Sequence, residues 1–191
     1  MSLEPNQALV TEPASRSLLE VRNLSMRFGG LLAVDNVHFD VRRGQIFAII
    51  GPNGAGKTTV FNCVGGFYRP TTGTVALDGQ AIDHLPSHRI ARLGLVRTFQ
   101  NVRLFKTMTA VENLLVSQHV QLETRLLPGL FKTPRYRRAE AEALERAAFW
   151  LEKVGLLPVA NREAGNLAYG QQRRLEIARC MITHPKLLML D

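Results

Sequence analysis

The stretch GPNGAGKTT, residues 51–59, decides the fold. It fits the spacing G-x-x-x-x-G-K-[ST], whose chemistry is the holding of phosphate. Gly51, Gly54 and Gly56 let main-chain N–H groups converge on phosphate oxygens with no Cβ atom in the way. The run QIFAII before it (45–50) is continuously apolar and β-branched, as in a strand buried on both faces. A helix beginning near Lys57 would add its positive dipole end at the same spot. Lys57 would place its charge on the β- and γ-phosphates of a nucleotide, and the Thr58 hydroxyl would be a ligand of Mg2+. Pro52, Asn53, Ala55 and Thr59 complete the cradle. A strand feeding a glycine loop and then a helix predicts an α/β core. The motif identifies a nucleotide site and not a job, because many unrelated machines use one.

Working outward from the loop, VHFDV alternates Val37, Phe39 and Val41 with His38 and Asp40, the period of a half-buried strand. TVALDGQAI sets Asp78–Gly79 between two apolar runs and predicts a hairpin. LVRTF, near residues 94–99, reads as a further strand. The period then changes. Thr109 and Glu112 stand at capping-box spacing, so a helix should start there. YRRAEAEALERAAFWLEKVG puts Leu144, Ala147, Ala148, Leu151 and Val154 on one helical face and stops at Gly155. The loop between these helices, around LLPGLFKTP, holds Pro128, Gly129 and Pro134. QQRRLEIARCMIT predicts a last helix with Leu175, Ala178 and Ile182 inward, closed by His184–Pro185, and KLLML a short buried strand.

Composition narrows the class. At 191 residues, 46% hydrophobic and 21% charged, the chain reads as one globular domain with room for an inserted subdomain. No stretch approaches the roughly 20 apolar residues that span a bilayer. Residues 1–17 carry acids and prolines, lack a signal-peptide layout and read as a disordered leader. Cys63 and Cys180 lie far apart without metal spacing and read as reduced, buried thiols. The net charge of +8 permits nucleic acid, acidic lipid or an acidic protein as partner, but the basic residues are scattered. One compact basic pair, Arg173–Arg174, adjoins a motif described below.

Four further stretches in fixed order resemble the ATP-binding subunits of ABC transporters, over residues 18–191. MRFGG places Phe28 where that family stacks an aromatic on adenine. RTFQN places Gln100 where the family's Q-loop reaches Mg2+ and the attacking water. NLAYGQQRRLEIARC resembles the signature motif, here Leu167, Ala168, Tyr169, Gly170 and Gln171, with Ala168 in place of a serine and Tyr169 in place of a glycine. KLLMLD resembles the Walker B strand, whose acid, here Asp191, holds Mg2+. MRFGGLLAVDNV, GPNGAGKTTVFNCVGGFYRPTTGTV and NLAYG…QRRLEIARCM resemble one branch in particular, the ATPase subunits of high-affinity branched-chain amino-acid importers.

The resemblance implies a P-loop NTPase core (18–102) with an antiparallel β section, an inserted α-helical subdomain (103–165), and a signature helix and Walker B strand (166–191). It implies an ATPase using ATP and Mg2+, with Lys57, Gln100 and Asp191 as catalytic residues and Thr58, Gln100 and Asp191 at the metal. The signature motif would face the ATP of a second ATP-binding subunit, in a homo- or heterodimer. Transmembrane permease subunits would be the direct partners and a substrate-binding protein an indirect one. The place would be peripheral, on the cytoplasmic face of the membrane, with no nucleic acid expected. An alternative is a nucleic-acid-associated ATPase of the same type, in DNA repair or translation. In the family an acid that polarises the attacking water directly follows the Walker B Asp. The expectation is therefore a partial domain, C-terminal part missing, that cradles phosphate but hydrolyses slowly.

Overall fold

The computed structural model describes residues 17–98, 103–119 and 134–190. The leader, Gln100, Asp191 and the expected loop around LLPGLFKTP (except Pro134) lie outside these. The fold is α/β, and its residues gather into two compact units. The first holds 17–57 and 70–83; the second holds 58–69 and the described residues from 84 onward.

The first unit is a four-stranded antiparallel sheet, ordered β2-β1-β3-β4. Its strands are β1 (Ser17–Phe28), β2 (Leu31–Arg42), β3 (Thr72–Leu77) and β4 (Gln80–Ala81). β1 opens at Ser17, the residue expected to close the leader. It pairs with β2 through Val21↔Phe39, Leu24↔Val37 and Phe28↔Leu31, and with β3 through Leu19↔Leu77 and Val21↔Val75. Period 2 puts Leu19, Val21, Val75 and Leu77 into one buried layer, and an irregularity between Val21 and Leu24, with Asn23 at φ 50°, turns Leu24 inward as well, while His38 and Asp40 stay exposed as the alternation predicts. The β3–β4 hairpin turns on Asp78 (φ 54°) and Gly79 (φ 80°). Two successive positive φ values make the two-residue turn whose twist matches its strands, and Asp-Gly is the dipeptide that adopts it most readily.

The strand expected before the glycine loop is absent. Residues 45–50 form no strand, and Ile46 and Ile50 are 98% and 90% exposed. An apolar run becomes a strand only where neighbours take its main-chain groups, and among the described residues none pairs with it. Phe47 stacks on Phe39 with centroids 5.0 Å apart, and Gln45 bonds the turn at Arg42, its N–H donating to Arg42 O (3.2 Å).

In the second unit β5 (Leu95–Arg97) and β6 (Leu187–Met189) pair in parallel. Around them stand α1 (Lys57–Val64), α2 (Ser87–Arg92), α3 (Ala110–His119), α4 (Pro134–Lys153) and α5 (Tyr169–Met181). α1 starts on the last residue of the first unit. The expected last strand is shorter than KLLML, and Leu190 beyond it is 60% exposed. The helices α3, α4 and α5 bury Leu114, Ala147, Leu151, Leu175, Ala178 and Ile182 in one cluster. Leu144, expected inward, is 44% exposed, and Ala143 is buried instead. α4 ends as predicted at Gly155: the N–H of Gly155 donates to Glu152 O (2.9 Å) and that of Leu156 to Leu151 O (2.7 Å).

α3 starts with the predicted box. Thr109 N–H donates to Glu112 Oε2 (2.7 Å) and Glu112 N–H to Thr109 Oγ1 (3.3 Å). These bonds hold the Glu112 carboxyl below its usual range, the backbone bond most. A depressed folded pKa means that this contribution is full above the ordinary carboxylate value and is lost as pH falls through the folded one. Two buried polar side chains, which sequence reading missed, fix the same helix. Asn113 Nδ2 donates to Thr109 O (2.9 Å) and Phe105 O (3.0 Å). Gln118 Nε2 donates to Ala143 O (3.0 Å) and ties α3 to α4. Cys63 and Cys180 are buried free thiols, each pushed up to about 11 by burial, so both stay protonated and unreactive at neutral pH.

Candidate nucleotide site

The phosphate loop is built from the first unit. Residues 51–55 are exposed and without regular structure, and Gly54 and Gly56 have φ of 84° and 83°. Ala55 N–H donates back to Pro52 O at 3.3 Å, which turns the chain over on itself. Lys57 opens α1 and reaches back across the loop, its Nζ donating to Gly51 O and Pro52 O at 2.7 Å each. The one full charge of the motif therefore sits over the loop, on two carbonyls that phosphate oxygens would displace. Thr58 is exposed and Thr59 half-buried on the first turn of α1. That helix is anchored through Val60, Cys63 and Val64, all buried.

Phe28 stands at the end of β1, opposite Leu31 across the Gly29–Gly30 turn. At 42% exposed it is no core residue, and its ring is accessible at the hairpin tip.

In the second unit the signature stretch forms the start of α5. Leu167 is buried in the helical cluster, and Ala168 is the N-cap. Ala168 has no side-chain acceptor, so only half of a capping box forms: its N–H donates to Gln171 Oε1 at 3.1 Å. Gly170 and Tyr169 are exposed, Tyr169 at 66%. The Tyr169 ring lies under the Arg173 guanidinium (5.4 Å), and Arg173 Nε donates to the phenol oxygen at 3.0 Å. Arg173 also pairs with the buried Glu176 at 3.1 Å. Arg174 donates to Val154 O at 2.8 Å, at the end of α4. Both arginines of the compact basic pair thus have work inside the fold.

The lead-in to the signature is strapped to the start of α3 by four main-chain bonds. Ala110 N–H donates to Arg162 O (3.0 Å), Val111 N–H to Ala160 O (2.9 Å), Ala164 N–H to Met108 O (2.8 Å) and Gly165 N–H to Lys106 O (2.9 Å). Arg179, which the sequence reading did not single out, bonds Arg103 O and Ser117 Oγ (3.2 Å) and lies over the Phe105 ring. It ties α5 to the segment that follows Gln100.

Comparison with known proteins gives these features a setting. The family model described as "ABC transporter" matches residues 34–191. Over 177 residues the chain is 67% identical to the high-affinity branched-chain amino acid transport ATP-binding protein BraF of Pseudomonas aeruginosa. It is 64% identical to LivG of Escherichia coli, which carries the same description. Each match covers 93% of this chain and 69% of the relative. Among solved structures, a nucleotide-free ATP-binding cassette from an ABC transporter superposes with a TM-score of 0.75 at 35% identity, covering 92% of this chain and 69% of that one. An ATP-binding cassette of an ABC transporter in its ADP conformation gives 0.75 at 34% identity, covering 91% and 67%.

Proposed function

The chain belongs to the ABC transporter family, and we propose that it is the ATP-binding and ATP-hydrolysing motor subunit of an importer for branched-chain amino acids. The observation that carries the reading is 67% identity, over 93% of the chain, to a subunit of that description. The exposed glycine loop with Lys57 already across it supports the ATP site. In this reading the loop N–H groups of Gly51–Gly56 and the Lys57 ammonium bind the terminal phosphates. The Phe28 ring carries the adenine. Thr58, with Gln100 and Asp191, would hold Mg2+; hydroxyl, amide and carboxylate oxygens suit a hard cation. An ion held there would supply charge neutralisation to the terminal phosphates. Leu167–Gln171, with the exposed start of α5, faces the ATP of a second ATP-binding subunit, so that binding closes the pair and hydrolysis reopens it. The amino acid is handled by permease subunits and delivered by a substrate-binding protein. The subunit docks on permeases at the cytoplasmic face, as a peripheral protein. Among the described residues no helix is long and apolar enough to cross a membrane.

Labelled leucine uptake tests this reading, in cells whose own branched-chain importer ATPase gene is replaced by the gene encoding this chain. Uptake is expected with the wild type and not with Lys57→Ala. Permease-bound protein that supports no uptake of any branched-chain amino acid would overturn the substrate class.

Phe28→Ala is expected to weaken ATP binding by about 1–3 kcal/mol, the scale of a base stacked on an aromatic ring. Phe28→Tyr should bind ATP nearly as the wild type does. Calorimetric titration reads both, and an unchanged affinity in Phe28→Ala removes the residue from the site.

A further inference from the structure

Gly56 is held by more than its φ of 83°. A Cβ placed on it would meet Ala33 O at 2.4 Å and Val34 Cγ2 at 3.1 Å. The last turn of the phosphate loop therefore rests on the main chain of β2, so closely that only glycine fits. Val34 itself is buried, 6% exposed, and is fixed in register opposite Met26 on β1. Loop residues 51–55 are exposed, so this contact is a support of the cradle from beneath, beside the Lys57 bonds across it. The same hairpin carries Phe28, whose register partner is Leu31. From Leu31 to Ala33 is two residues, or about 7 Å of strand.

We infer that Ala33 and Val34 are positioning residues, and that the β1–β2 hairpin is a ruler setting the distance between the base platform at Phe28 and the phosphate cradle at Gly56. The inference rests on the nucleotide-site reading above. A ligand with both a base and phosphates feels the ruler; a ligand with phosphates alone does not. Val34→Ala removes the γ-carbons beneath Gly56 and lets the cradle shift against the platform.

The test is a double-mutant cycle in the full chain, read by calorimetric binding of MgATP and of magnesium tripolyphosphate well below each variant's unfolding temperature. Val34→Ala should weaken ATP roughly tenfold and tripolyphosphate less than about threefold, the range of coupling between residues in contact. In a Phe28→Ala background, the ATP loss from Val34→Ala should shrink to the tripolyphosphate value. Val34→Ile, which keeps carbon at both γ positions, should restore the wild-type ratio. Where Val34→Ala lowers the folded fraction, Ala33→Gly gives the same cycle by loosening the carbonyl beneath Gly56 without opening a core cavity. Equal losses for the two ligands, or an ATP loss unaffected by Phe28→Ala, overturn the inference while the nucleotide site stands. A wild-type chain that binds neither ligand overturns both.

Discussion

Lys57→Ala is expected to lower MgATP affinity by on the order of a hundredfold or more, from the loss of charge-assisted hydrogen bonds worth about 1.5–3 kcal/mol each. The ammonium now bonds Gly51 O and Pro52 O at 2.7 Å, at the mouth of the exposed loop. Phosphate oxygens arriving there would replace neutral carbonyls with anionic acceptors, so the side chain gains more from ligand than it gives up. Removing it leaves the loop dipoles, which act on any anion, but not the charge. Lys57→Arg should recover little, because a planar guanidinium does not fill the place of a compact ammonium. Stability should barely move, since Lys57 is not buried and surface changes of this kind fall within about 0.5 kcal/mol. Calorimetric titration with a non-hydrolysable ATP analogue, beside thermal unfolding, separates the two effects. Unchanged affinity in a folded variant removes Lys57 from the site.

Much of this was legible because single residues carry it. Gly51, Gly54 and Gly56 with Lys57 announce a phosphate cradle. Asp78–Gly79 announces a hairpin, and Thr109 with Glu112 a helix start, since each depends on contacts within four residues. What failed depends on neighbours from elsewhere in the chain. The run 45–50 has the composition of a buried strand, but composition does not say which main chain pairs with it, and here none of the described residues does. Asn113, Gln118 and Arg179 were missed for the opposite reason. A polar residue in a helix reads as solvated until the carbonyl or hydroxyl it meets is known, and for Gln118 and Arg179 that partner is distant in sequence. The support of Gly56 by Ala33 and Val34 was equally invisible, because nothing in the motif says what lies beneath it.

Leu151→Ala should cost about 3 kcal/mol of stability, within the 2–5 kcal/mol that buried leucine truncations span, while Leu144→Ala costs under about 0.5 kcal/mol. The two leucines lie two helical turns apart, on almost the same face of α4, so periodicity alone gives them one fate. Leu151 is fully buried, in the cluster that holds Leu114 of α3 and Leu175 of α5. Leu144 lies in the middle of the helix, beside the buried Ala143, and is 44% exposed. At that height Ala143 takes the buried place and Gln118 of α3 bonds its carbonyl, so Leu144 falls at the margin of the stripe. Truncating Leu151 opens a cavity among three packed helices and loosens the seat of Leu167, at the head of the signature stretch. At this chain length each kcal/mol moves the unfolding midpoint by about 2–4 °C, so Leu151→Ala should melt roughly 6–12 °C early. Leu144→Ala should melt with the wild type. Calorimetric unfolding of the pair decides it. Equal shifts would mean that α4 packs along its whole face and that the leucines share the burial their spacing first implied.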